Sequence, residues 1–162
     1  MNTKNKILSL ALLKKKVSAL RKAGKKIAFT NGCFDLLHLG HVSYLEAMKA
    51  DDTIVVVGLN SDSSIKNIKV KGLPIQPQAA RARVLAALTC VDYVTIFSDE
   101  TPYRVIKALQ PDILVKGADW KGKIVVGEDV VKARGGHVRL IHYVDHFSTT
   151  SIIKKILKQC AA

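Results

Sequence analysis

Apolar residues recur along the chain in two rhythms, short continuous runs and runs spaced three or four apart, and their alternation predicts a fold. Residues 5–23 carry Ile7, Leu10, Leu13, Val17 and Leu20 at helical spacing, an amphipathic helix that Gly24 ends. KKIAFT follows as a first strand. HLGHVSYLEAMKA returns to helical spacing, with Val42, Leu45 and Met48 on one face. TIVVVGLN, from Thr53, is a continuous apolar run, the pattern of a strand buried on both faces. VKGLPIQPQ, punctuated by Gly72, Pro74 and Pro77, reads as a loop, AARARVLAAL as a helix and VDYVTIF as a third strand. Thr101 as N-cap and Pro102 as first helical residue open PYRVIKALQ. DILVKG is a fourth strand, a helix surrounds GEDVVKARGG, and HVRLI is a fifth strand. Ser148, Thr149 and Thr150 open a last helix whose Ile152, Ile153, Ile156 and Leu157 share a face.

Strands alternating with helices at this spacing predict an α/β fold, a doubly wound parallel sheet of about five strands with helices on both faces. No repeat or low-complexity linker interrupts it, so the helix in residues 1–24 is expected to pack with residues 25–162 as a single domain. Ligands of such sheets collect beyond the carboxyl ends of the strands. TNGCFD, GLNSD and KGADW all fall there.

Charge narrows the choice of ligand. The 162 residues hold 26 Lys and Arg against 13 Asp and Glu, a net +13 that favours anionic partners. The lysines are spread along the chain without interleaved aromatics, which argues against nucleic acid as the partner and for small phosphate-bearing substrates. Cys33, Cys90 and Cys160 are odd in number and lack CxxC spacing, which points to a reducing compartment. The leading KNKILSLALLKKK has a basic start and a short apolar stretch, but lysines close it after Leu13 and no small-residue cleavage site follows. No other run is long enough to cross a bilayer, so a cytoplasmic location without membrane attachment is expected. The lysine-rich first helix also fits a membrane surface, although packing on the sheet is the expectation.

The candidate chemistry sits in TNGCFDLLHLGHVSYL, residues 30–45. Thr30, Asn31 and Gly32 are expected to offer backbone N–H groups in a tight turn after the first strand. His38 and His41 follow at a helix start, three apart and so on one face. Free amides and the helix dipole favour an anion there, and Gly40 permits close approach. Imidazoles donate to phosphate oxygens as negative charge grows. Two helix-surface histidines without a role, or a zinc set of Cys33, His38 and His41, are the alternatives; the latter spacing matches no familiar set and no HExxH occurs. The absence of GxxxxGK[ST], GxGxxG and GxSxG argues against P-loop, ordinary dinucleotide and hydrolase proteins.

TNGCFDLLHLGH resembles the HxGH signature of the nucleotidyltransferase superfamily of Rossmann-like fold, which includes glycerol-phosphate and phosphoethanolamine cytidylyltransferases. The late S-T-T signature of that superfamily is matched by Ser148-Thr149-Thr150. Within it the nearest likeness is to the D-glycero-β-D-manno-heptose 1-phosphate adenylyltransferases. VVGLNSD, the RxxxLxAL stretch from Arg81, DYV, TPxRVI, PDILVKGADW and STTSIIKKI carry that likeness in order over residues 25–157. The resemblance implies AMP transfer from ATP to a sugar 1-phosphate, giving ADP-heptose and pyrophosphate, with Mg²⁺ bridging the phosphates and no protein metal ligand. It further implies a product destined for lipopolysaccharide. The chain resembles the free-standing form, so a separate sugar kinase would supply the acceptor, and the apolar helix faces would allow a homodimer.

By the same resemblance His38 and His41 hold the nucleotide phosphates, His41 acting on the α-phosphate. Thr30, Asn31, Gly32 and Phe34 line the first turn, and Asp35 orients it or forms a simple Asx-turn. Lys49 reaches the triphosphate or acceptor phosphate, or is a surface lysine. Arg81 offers a rigid fork for phosphate, while Arg83 faces solvent. Lys116, Gly117, Asp119 and Trp120 shape the adenine and ribose pocket, with plain packing the alternative for Trp120. Ser148, Thr149 and Thr150 serve the β- and γ-phosphates, or only cap the helix, and His146 borders them. The chain departs from these enzymes with Leu73-Pro74 in place of Arg-Pro, Trp120 in place of tyrosine, and HFSTT in place of Gly-Cys before the S-T-T. Two other functions remain open: a CTP-dependent cytidylyltransferase acting on glycerol 3-phosphate or phosphoethanolamine, and a non-catalytic nucleotide- or RNA-binding module.

Overall fold

In the computed structural model, which describes residues 2–68, 72–142, 144 and 147–160, the apolar runs become strands β1 (Lys26–Gly32), β2 (Thr53–Asn60), β3 (Tyr93–Phe97), β4 (Ile113–Gly117) and β5 (His137–Ile141). All neighbours pair in parallel, in the order β3-β2-β1-β4-β5. The winding reverses between β1 and β4, so their carboxyl ends form the switch point where such sheets take ligands.

Seven helices are described: α1 (Leu10–Lys22), α2 (Leu39–Glu46), α3 (Asp62–Ile68), α4 (Gln78–Ala87), α5 (Tyr103–Leu109), α6 (Glu128–Lys132) and α7 (Thr149–Cys160). Strand periodicity sends alternate residues to opposite faces, which explains two cores. On one face Val55, Val57 and Leu59 meet Tyr44 and Leu45 of α2 and Ala82 and Leu85 of α4. On the other, Ile27, Phe29 and Val56 meet Leu13 and Val17 of α1 and Val105, Ile106 and Leu109 of α5. The first helix therefore shares a core with the strands that follow it. Among the described residues no helix is long and apolar enough to cross a membrane.

Several boundaries differ from expectation. Residues Thr3–Lys6 form a 3-10 turn and α1 starts only at Leu10, because the Ser9 side chain caps it by accepting the Leu12 N–H. Between them Ile7 bridges Val94 in parallel, and Leu8 donates to the Val94 carbonyl at 2.9 Å. The buried Lys6 ammonium donates to the carbonyls of Leu88 and Val91 beyond α4. Thr101 does not cap α5. The Ile106 N–H bonds to the Pro102 carbonyl, which makes Pro102 the N-cap, and no side chain caps it. Helix α3 was not anticipated; Ser61 opens it, its Oγ accepting the Ser64 N–H at 3.1 Å. Strand β1 runs two residues further than KKIAFT, with Asn31 opposite Gly58 and Gly32 opposite Leu59.

Candidate active site

The cleft lies where β1 and β4 end side by side. Lys116, penultimate in β4, is buried, and its ammonium donates to Asn31 Oδ1 of β1 at 2.6 Å. The same ammonium sits 5.0 Å from the centre of the Trp120 ring, a cation–π contact supplied by the 3-10 turn Ala118–Trp120. Loss of hydration pulls the Lys116 amine down to about 8, against the opposing pull of the Asp119 carboxylate. Thr30 Oγ1 and the Tyr44 hydroxyl share a 2.8 Å hydrogen bond beneath the floor. These groups, with Gly117 and His41, line a chamber of about 320 Å³.

The histidines enter from the segment linking β1 to α2. Phe34 has a left-handed backbone with φ +43°, and a side chain on Gly32 would come within 3.0 Å of the Phe34 ring. His38 is the extended N-cap residue of α2, without a side-chain cap. Its ring stacks on that of His41, centroids 3.8 Å apart and planes 25° apart, and the Phe34 ring lies 5.1 Å from His41. Glycine at position 40 makes room for this: a Cβ there would sit 3.1 Å from His38 Nδ1 and 3.5 Å from the Phe147 carbonyl oxygen. What approaches Gly40 is thus the protein itself. His38 Nδ1 is buried and has no hydrogen-bond partner among the described residues, and burial lowers the pKa of the ring, favouring neutral imidazole.

Helix α7 supplies the third wall. Ser148 and Ser151 cap it reciprocally: Ser151 N–H donates to Ser148 Oγ at 3.0 Å, and Ser148 N–H to Ser151 Oγ at 3.1 Å. Thr149 and Thr150 line a smaller chamber of about 140 Å³ with Asp35, Leu73 and Ile153. Cys33, Phe34 and His41 border both chambers, which adjoin there as two parts of the cleft.

Four expectations are corrected. Thr30, Asn31 and Gly32 lie in the β1 ladder rather than in a turn, because pairing with β2 continues to Leu59. Lys49 does not enter the cleft: α2 runs back along the sheet, and Lys49 pairs at 2.6 Å with Asp92, which also accepts the Val55 N–H near the amino end of β2. Arg81 presents no free fork, since its side chain is fully buried and its guanidinium is bonded to Gln76, Cys33, Asn60 and Asp62. Asp35 is not an Asx-turn; its carboxylate accepts the N–H groups of Ile75 and Gln76, both at 2.8 Å. Asp119 is exposed beside the cleft and Arg83 is exposed. His146, and Lys69 to Lys71 of the glycine- and proline-rich loop, lie outside the described residues. Tyr44 and Asp62 were missed; Tyr44 stands three residues after His41, a helical spacing that marks it for the same face. Among the described residues no group of three His, Cys, Asp or Glu is placed to hold a metal ion.

The cytidylyltransferase-like family model matches residues 29–155. The bifunctional protein HldE of Citrifermentans bemidjiense is 50% identical over 153 residues, covering 94% of this chain and 31% of that protein. The bifunctional protein HldE of Nitratiruptor sp. is 54% identical over 137 residues, 85% of this chain and 29% of that protein. The chain thus spans about a third of the length of these curated relatives. A crystal structure of the lipopolysaccharide core biosynthesis protein from Thermoplasma volcanium superposes with a TM-score of 0.60 at 25% identity, over 75% of this chain and 98% of that one. The pantoate–β-alanine ligase of Francisella tularensis shares the fold, with a TM-score of 0.57 at 15% identity over 94% of this chain and 79% of that one.

Proposed function

The chain belongs to the cytidylyltransferase-like family, and on that premise we propose that it transfers AMP from ATP to D-glycero-β-D-manno-heptose 1-phosphate, releasing pyrophosphate. The observation that carries this reading is His41, backed by the stacked ring of His38, lining the same cleft as the buried Lys116 ammonium. Identity of about half with the HldE proteins and the likeness to a lipopolysaccharide core biosynthesis protein support the choice of acceptor.

In this reading an oxygen of the sugar phosphate attacks the α-phosphorus in line. The new phosphorus–oxygen bond forms as the bond to pyrophosphate breaks, and pyrophosphate keeps the electron pair. No protein nucleophile is required, so rate comes from positioning and from donors aimed at the growing charge. His41 serves the α-phosphate, with His38 stacked behind it to fix the ring. Thr149 and Thr150, at the first turn of α7, serve the outer phosphates with hydroxyls and backbone amides. Lys116, expected in the adenine and ribose pocket, is assigned instead to the acceptor phosphate, because a buried ammonium beside Asn31 offers an anion a charge-assisted donor. Gly117 and Trp120 border the nucleoside, and Asp119 stands at their rim. Mg²⁺ enters with ATP as part of the substrate. A phosphoryl-transfer step must supply the sugar 1-phosphate.

Pyrophosphate release with Mg²⁺ and heptose 1-phosphate, run in parallel with ATP and CTP, tests the proposal. Release with ATP alone is the expected result. Release only with CTP, or only with glycerol 3-phosphate as acceptor, would transfer the mechanism to the cytidylyltransferase reading, and silence with every pair would overturn both.

A further inference from the structure

Among the described residues Arg81 is the largest fully buried side chain, yet it lines neither chamber of the cleft. Its Nε donates to the Gln76 carbonyl at 3.0 Å and its Nη1 to the Cys33 carbonyl. Nη2 donates to the Asn60 carbonyl at 2.9 Å and to Asp62 Oδ1 at 2.7 Å. One guanidinium therefore joins the segment after β1, the end of β2 and the segment around Gln76. Its neighbours repeat the joining. Asp35 accepts the Ile75 and Gln76 amides, and Gln76 Nε2 returns a bond to the Asp35 carbonyl at 2.9 Å. Asp62 N–H donates to Gln78 Oε1 at 2.9 Å, and Gln78 N–H donates to Asp62 Oδ2 at 3.1 Å.

Two of the joined segments shape the cleft. The Cys33 carbonyl held by Arg81 precedes the left-handed Phe34, whose ring rests on His41. Asp35 and Leu73 border the chamber of Thr149 and Thr150. We infer that Arg81 is a positioning residue: its planar fork locks these segments together and so sets the place of Phe34 and His41 without touching substrate. Only a planar guanidinium presents donors in the directions needed; an ammonium of the same charge reaches some acceptors and leaves others bare.

The inference rests on the proposed activity for its kinetic arm alone. Arg81→Lys keeps the charge and loses the fork. Expected are a cooperative thermal transition, amide exchange at Ile75 and Gln76 at least about tenfold faster in substrate-free protein, and kcat lower by about thirtyfold or more. The KM for ATP should stay within about threefold, since the misplaced group acts in the transition state. Gln76→Ala, which removes one bond at a half-exposed loop position, is the second variant should Arg81→Lys not fold. It should speed exchange at Ile75 about threefold and lower kcat by a similar factor. Wild-type exchange rates in the variant that folds, or a loss carried wholly by the ATP KM, would overturn the inference. If wild-type protein releases no pyrophosphate, the activity proposal fails, and the exchange rates decide the positioning role by themselves.

Discussion

Two walls of the cleft are built differently. At the β1–β4 wall Thr30 and Lys116 are buried and hydrogen-bonded to Tyr44 and Asn31, so the donors are held in place before any ligand arrives. At the α7 wall no residue of the helix is buried, the first turn is held by its own Ser148–Ser151 cap, and Ile156 and Leu157 are 50% and 64% exposed. Burial confers fixed geometry and a perturbed lysine; exposure leaves hydroxyls and amides hydrated and little altered. Groups that must meet charge as it develops benefit from the first setting. Groups that only hold polyphosphate are served well enough by the second.

That contrast orders the expected effects. His41→Ala, at the junction of the two walls, should lower kcat by at least about a hundredfold, as removal of one transition-state donor does. Wild-type turnover in a folded variant would place the chemistry elsewhere. Lys116→Met should raise the acceptor KM about tenfold or more while changing the ATP KM little, an effect on the order of a lost charge-assisted hydrogen bond. The wild-type acceptor KM should hold steady below pH 8, where the amine is protonated, and climb above it, whereas the variant shows a flat profile. The sign for stability is the reverse. Unfolded Lys116 retains its proton up to about 10.5 and the folded residue only to about 8, so the native protein gains stability relative to Lys116→Met as pH rises between these values. A urea titration series across that range reads it.

On the exposed wall the effects shrink. Thr149→Ala should weaken ATP binding threefold to tenfold, about one ordinary hydrogen bond, with kcat nearly unchanged; calorimetry with a non-hydrolysable ATP analogue measures this. An unaltered dissociation constant would leave Thr149 only its place in the helix. Lys49→Met should be smallest, with wild-type kinetics and a stability loss of ~0.2–1 kcal/mol for a partly exposed ion pair.

Legibility followed locality. The strand VVVGLN, the helix SIIKKILKQ and the His38–His41 spacing are local patterns, and each appears as an element or a contact. The roles given to Arg81 and Lys49 were not legible, because the partners that consume them, Cys33 and Asp92, lie 48 and 43 residues away. A cation in a phosphate-binding pattern looks the same in sequence whether its donors are open or already bonded. Helix α3 escaped because Asp62 to Ile68 is polar, with Ile65 buried and few other apolar residues to show a period.

By itself the sequence determined the alternation of buried strands and amphipathic helices, the paired histidines at the start of α2 and the hydroxyl triplet at the start of α7, since each depends on neighbours a few residues apart. Only the tertiary structure decided that β4 lies beside β1. That placement brings Lys116 to Asn31 across 85 residues and strips water from its ammonium. Hydration and hydrogen-bond partners are properties of the folded neighbourhood, and it is these that turn an ordinary lysine into one that titrates near pH 8.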